Sequence, residues 1–115
     1  MAVTIYHNPR CTKSRETLAL LEKKGLKPKI VDYLKEPPSA AELDRILKML
    51  DASPRHLMRK KEAPYNEENL DDPDLSRADL IRAMVENPIL IERPIVVCGD
   101  KAVIGRPPEA VLRIL

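Results

Sequence analysis

At 115 residues the chain has length for one domain with a single core and too little for two independent ones. Hydrophobic residues make up 43% and charged residues 33%, an ordinary globular balance that excludes a disordered or membrane-embedded chain. With 20 Lys and Arg against 18 Asp and Glu the net charge is +2, so no global field draws in nucleic acid or anionic lipid, and any anion site must be local.

The start of the chain, MAVTIYHNPRC, lacks a charged segment followed by an apolar one, and no stretch approaches the roughly 18 apolar residues of a membrane span, so a cytoplasmic location is expected. Val3 to Tyr6 is a short β-prone run that stops at Asn8-Pro9. From Ser14 onward the pattern is helical, with Leu18, Leu20 and Leu21 as the expected apolar face. Gly25 stands where a glycine ends a helix, and Lys23 and Lys24 suit the negative end of the helix dipole. Lys29 to Tyr33 offers a second strand and completes a βαβ unit.

Ser39 and Glu42 form a capping-box pair ahead of Leu43, Ile46, Leu47 and Leu50 at i, i+3, i+4, i+7, which predicts a helix. Ser53-Pro54 predicts a short helix running into Arg59-Lys60-Lys61, and the proline- and acid-rich stretch from Glu62 to Asp74 reads as loop. Ser76 and Asp79 repeat the capping logic before Leu80, Ile81, Met84 and Val85. Pro94 to Cys98 and Ala102 to Ile104 are β-prone runs joined by Gly99-Asp100-Lys101, which is hairpin spacing. Pro107-Pro108 opens a last predicted helix carrying Val111, Leu112 and Leu115. The order is β-α-β, a helical stretch, then β-β-α. It predicts an α/β fold over residues 1–115 in a single domain: a mixed sheet with flanking helices and a helical insertion at about 39–74.

Cys11 falls in the first turn between strand and helix, where sites form in open α/β sheets. A thiol attacks as its thiolate, so a reactive cysteine needs surroundings that bring its pKa below about 8.5, and a helix N-terminus with nearby cations does this. His7, Arg10, Lys13 and Arg15 flank Cys11, and no acid occurs between Met1 and Arg15. Ser14 can turn its hydroxyl toward the sulfur. A small buried hydrophobe is the usual fate of a free cysteine, but these polar, cationic flanks contradict it. His7 can equally be a supporting loop histidine or act electrostatically. Cys11-Thr-Lys-Ser14 holds no second thiol, so an external thiol must resolve any adduct. Cys98 ends a predicted strand and reads as a core cysteine. With two distant cysteines and two isolated histidines, neither a structural disulfide nor a metal site is expected.

The runs IYHNPRCTKSRETL, LMRKKEAPY, NPILIERPIVV and IGRPPEAVLRIL resemble the glutaredoxin-dependent arsenate reductases of the ArsC-like family across essentially the whole chain. The resemblance implies a thioredoxin-like fold, with Cys11 as nucleophile and His7, Ser14 and Arg15 in its motif. His7 and Ser14 would lower the pKa of the cysteine. Arg59, Arg93 and Arg106 would bind the oxyanion, and Arg93-Pro94 would be the cis-proline facing the cysteine. A guanidinium presents fixed donors suited to a tetrahedral oxyanion. Thr12-Lys13 departs from the Gly-Thr of well-known arsenate reductases and alters backbone freedom and charge beside the nucleophile.

The function this resemblance implies is reduction of arsenate to arsenite in a monomer that holds no cofactor, with glutathione and glutaredoxin as reductants and no nucleic-acid or membrane partner. Two other readings stay open. One is a regulatory module like the Spx transcription regulators, which carry a CxxC where this chain has Ser14. The other is a glutathione-linked oxidoreductase acting on a protein disulfide.

Overall fold

The computed structural model describes residues 2–115. They divide into two compact units, one made of the residues up to Glu36 together with Arg93–Leu115, the other of Pro37–Glu92.

The first unit is built on a four-stranded sheet: β1 (Val3–His7), β2 (Lys29–Asp32), β3 (Ile95–Cys98) and β4 (Lys101–Ile104), in the order β2-β1-β3-β4. β1 runs parallel to β2 and antiparallel to β3, and β3 and β4 form the expected hairpin. This is the thioredoxin-like mixed sheet. Alternation along β1 turns Val3, Ile5 and His7 to one face. There Val3 and Ile5 pack with Val96 and Cys98 of β3, with Leu21 of helix α1 (Thr12–Lys23), and with Val111. Each such aliphatic side chain contributes about 1.5 to 3 kcal/mol through burial.

Helix α1 ends as the sequence predicts. Gly25 takes φ +80°, its N–H donates to Glu22 O, and Leu26 N–H reaches back to Leu21 O, so the last carbonyls are satisfied. Its inward face differs from the expectation. Ser14, Thr17 and Leu21 are fully buried, while Leu18 and Leu20 are only half-buried at its margin. The half of the helix nearest Cys11 therefore turns hydroxyls, not leucines, toward the sheet.

The closing segment, Pro108–Ile114, is a 3-10 helix rather than the expected α-helix. At three residues per turn, Pro108, Val111 and Ile114 share the inward face, which leaves Leu112 and Leu115 exposed.

The second unit is helical. Helix α2 (Ala40–Leu50) is capped by Ser39, whose Oγ accepts from Glu42 N–H, and buries Leu43, Ile46 and Leu47. The helix predicted to reach Lys61 is instead a 3-10 turn, Pro54–Leu57, because Met58 leaves it in extended backbone to bridge Ile91. Within the expected loop lies a short helix, α3 (Ala63–Glu67). Pro64 sits in its first turn, where proline is tolerated, and Tyr65 is its buried anchor. Helix α4 (Arg77–Glu86) carries the predicted capping box of Ser76 and Asp79 and packs Leu80, Ile81, Ala83 and Met84 inward.

No helix among the described residues is long and apolar enough to cross a membrane. Nor do three or more His, Cys, Asp or Glu side chains among them converge as a metal site requires.

Candidate active site

The loop from His7 to Cys11 folds on itself before α1 begins. Cys11 N–H donates to Asn8 O at 3.0 Å, and Arg10 N–H to Asn8 Oδ1 at 3.0 Å. Cys11 is thereby set in extended backbone (φ −92°, ψ 123°) as the N-cap of α1, and its carbonyl accepts from Arg15 N–H. An N-cap side chain lies over the unpaired N–H groups of the first turn, a position normally held by an oxygen acceptor. The Cys11 side chain makes no formal capping hydrogen bond. Even so, the N–H groups of Ser14 and Lys13 face the sulfur and favour its charged form.

Two arginines from later in the chain act on the same sulfur, Arg106 by contact and Arg93 through its charge. Arg106 Nη2 lies 3.7 Å from Cys11 Sγ, and Arg106 Nε donates to the Arg93 carbonyl at 2.9 Å. Both arginines stand before cis prolines, at Arg93-Pro94 as the resemblance implies and at Arg106-Pro107, which nothing in the sequence had suggested. Partial burial pushes the Cys11 thiol up. The Ser14 N–H, the charge of Arg93, the Lys13 N–H and the charge of Arg106 together outweigh it and leave the pKa below the ordinary thiol value.

His7 and Ser14 form a buried pair beneath this loop. His7 is 7% exposed and Ser14 fully buried. His7 Nδ1 and Ser14 Oγ are 2.6 Å apart, and Ser14 Oγ also accepts from Asn8 N–H at 3.0 Å. The Ser14 hydroxyl thus turns to His7 and Asn8 instead of the sulfur, and it is the Ser14 backbone N–H that meets Cys11. Burial holds the His7 pKa below its ordinary value, partly opposed by the negative charge of Asp32, its register partner on β2. His7 is therefore neutral near pH 7 and adds no positive charge to the site. What it does add is a fixed position for the first turn of α1.

Arg15 is exposed, with its guanidinium donating to Thr12 Oγ1 at 3.3 Å. Arg59 belongs to the second unit. It pairs with Glu62 at 3.0 Å, and its backbone N–H donates to Leu90 O. Cys98 is 4% exposed in the core of the sheet. Asn8, Thr17 and Gly105 carry structural parts that the sequence alone did not announce. Of these only Asn8 left a signal, since Asn-Pro before a helix marks a turn.

The arrangement offers an activated, half-exposed thiol and two guanidinium groups from one connected loop pair, a setting for nucleophilic attack on a small anion.

The ArsC family model matches residues 6–114. An arsenate reductase of Haemophilus influenzae (strain ATCC 51907 / DSM 11121 / KW20 / Rd) is 57% identical over 116 residues, spanning 100% of both chains. An uncharacterised Escherichia coli (strain K12) protein, YfgD, is 59% identical over 114 residues, 98% of this chain and 96% of its own. The solved structure of an arsenate reductase from Vibrio cholerae superposes with a TM-score of 0.96 at 55% identity, covering 100% of this chain and 98% of that one.

Proposed function

This chain belongs to the ArsC family, and from that premise we propose that it reduces arsenate to arsenite with Cys11 as the nucleophile. The observation that carries the proposal is the 3.7 Å approach of the Arg106 guanidinium to the Cys11 sulfur over the start of α1. It puts an anion-binding group beside a thiol whose surroundings favour the thiolate. Relatives named arsenate reductase that match the chain end to end support the substrate.

In this mechanism Arg93 and Arg106 hold the oxyanion, and the Cys11 thiolate attacks arsenic(V) as a protonated oxygen leaves as water. The guanidinium charges stabilise the crowded, anionic transition state. Glutathione then attacks the Cys11 sulfur. A sulfur–sulfur bond forms, and the sulfur–arsenic electron pair stays on arsenic, which departs as arsenite. The two thiols are oxidised to a mixed disulfide while arsenic(V) becomes arsenic(III). Glutaredoxin supplies the thiol that frees Cys11. An outside reductant is needed because Ser14 fills the place of a resolving cysteine and Cys98 is buried.

His7 and Ser14 act by fixing the first turn of α1 under the sulfur, and Arg15 borders it. The resemblance gives Arg59 a part in binding the oxyanion, which an Arg59→Ala variant tests as a rise in KM for arsenate. We place the reaction in the cytoplasm, where thiols stay reduced, and in a monomer.

The test is a steady-state assay with arsenate, glutathione, glutaredoxin and an electron donor, run beside a protein-disulfide substrate. Turnover of arsenate that disappears in Cys11→Ser is the expected result. Turnover retained in that variant, or confined to the disulfide, refutes the proposal.

A further inference from the structure

The proposed chemistry depends on Arg106 reaching a sulfur 95 residues away in sequence, and a pair of residues outside that chemistry holds the two ends together. Thr17 is fully buried on the inward face of α1, the helix that Cys11 caps. Its hydroxyl lies 2.8 Å from Lys13 O and 3.4 Å from the carbonyl of Gly105, the residue before Arg106. A bond to the carbonyl four residues back is what a buried helical threonine commonly makes. The second acceptor, on a loop from the far end of the chain, is not explained by helix geometry.

Gly105 is pressed between two neighbours. A Cβ there would stand 2.7 Å from Thr17 Oγ1 and 2.9 Å from Pro94 Cγ, closer than real Cβ atoms come, and 3.0 Å from Thr17 Cγ2. Gly105 N–H also donates to Pro94 O at 2.9 Å. Gly105 thus touches α1 on one side and the residue after Arg93 on the other. The Arg106 side chain closes the loop by donating to Arg93 O.

We infer that Thr17 and Gly105 are positioning residues, a clasp that fixes the Arg93 and Arg106 loops against the helix carrying Cys11 and so sets how closely the guanidinium groups approach the sulfur. The clasp rests on the proposed role of Cys11. It concerns the geometry around the thiol, whatever anion the site accepts. A side chain at 105 forces the loop, Thr17 or Pro94 to shift, and so disturbs the spacing that now holds Arg106 3.7 Å from the sulfur. Removing the Thr17 hydroxyl frees the carbonyl of Gly105 from the helix without adding bulk.

Three variants of the full chain test this: Gly105→Ala, Thr17→Val and Thr17→Ser. Each is checked for native circular dichroism, then titrated for the rate of Cys11 alkylation by iodoacetamide against pH, and assayed for arsenate KM and kcat. Gly105→Ala is expected to move the alkylation profile to higher pH and to slow alkylation below the thiol's midpoint by up to about fivefold, the size of a unit charge moved from contact into solvent. It should also raise KM more than it lowers kcat. Thr17→Val is expected to shift both readouts the same way, and Thr17→Ser, which keeps the hydroxyl, to restore them.

Folded Gly105→Ala and Thr17→Val proteins with the parent alkylation profile and KM overturn the clasp, because a residue serving only stability would leave both unchanged. Should Gly105→Ala fail to fold, the Thr17 pair alone decides. A parent protein that turns over no arsenate refutes the proposed function, and the alkylation profiles still judge the clasp.

Discussion

Replacing Arg106 by glutamine removes one positive charge at 3.7 Å from the Cys11 sulfur while keeping a polar side chain of similar reach. Two unit charges at that separation interact by about 1 kcal/mol in bulk water and by about 4 kcal/mol at an effective dielectric constant near 20. Arg106 is exposed, so the lower figure applies. About 1 kcal/mol corresponds to roughly a fivefold smaller thiolate fraction at any pH below the thiol's midpoint.

The assay is the second-order rate of iodoacetamide alkylation between pH 5 and 9 at low salt, where screening is weakest. Cys98 is 4% exposed and contributes little in the folded protein, and a Cys11→Ser control measures that background. Arg106→Gln should move the alkylation profile to higher pH. Arg93→Gln should move it further, because Arg93 depresses the thiol pKa more strongly than Arg106 does. An Arg106→Gln profile that coincides with the parent's would refute the idea that this guanidinium stabilises the thiolate.

Ser14→Ala removes a buried hydroxyl and leaves both His7 Nδ1 and Asn8 N–H without the oxygen they now meet, so urea unfolding should show a loss of about 1 to 3 kcal/mol. His7 has a folded-state pKa below its unfolded value, so the unfolded chain binds the extra proton first. Its contribution to stability is complete above about pH 6.5 and is lost as the pH falls from there toward the folded-state pKa. The urea midpoint should drop over that window, and less so in His7→Asn. Ser76→Ala removes the hydroxyl that accepts from Asp79 N–H in the α4 capping box, leaves the arm from its own backbone N–H to Asp79, and should lower stability by about 1 kcal/mol, with alkylation of Cys11 unchanged.

Features written in short windows of sequence were legible. Ser39, Ser76 and Gly25 announced helix ends because a cap depends on a few adjacent residues and little else. The place of Cys11 at the start of α1 was legible as well, since the strand, turn and helix around it are local, but the charges that lower its pKa come from Arg93 and Arg106 and not from the cations beside it in sequence. What burial decides was not legible. His7 reads as a charge near Cys11 in the sequence, and only the sheet face on which β1 places it shows that it stays neutral. Ser14 lies three residues from the thiol, yet its hydroxyl was taken by a partner seven residues back. Thr17 looks like any surface threonine of a helix and Gly105 like any loop glycine, because their meaning comes from each other across 88 residues. The 3-10 course of Pro108–Ile114 escaped for a related reason. Val111, Leu112 and Leu115 satisfy a helical period, and packing against α1 and β4 selected period three instead.

The register of β1 has a consequence for how the site comes into being during synthesis. Strand β1 takes β2 on one edge and β3 on the other, with Val3 opposite Cys98 and Tyr6 opposite Ile95. The thiol and its helix leave the ribosome before β3, Arg93 and Arg106. The strand on the other edge of β1 and both guanidinium groups follow more than 80 residues later. Until then the nascent chain carries Cys11 without Arg93 or Arg106 beside it and β1 with one edge unpaired, a long-range closure of the kind that folds slowly. The cysteine therefore gains its full reactivity only after the segment carrying Arg93 and Arg106 has emerged and paired.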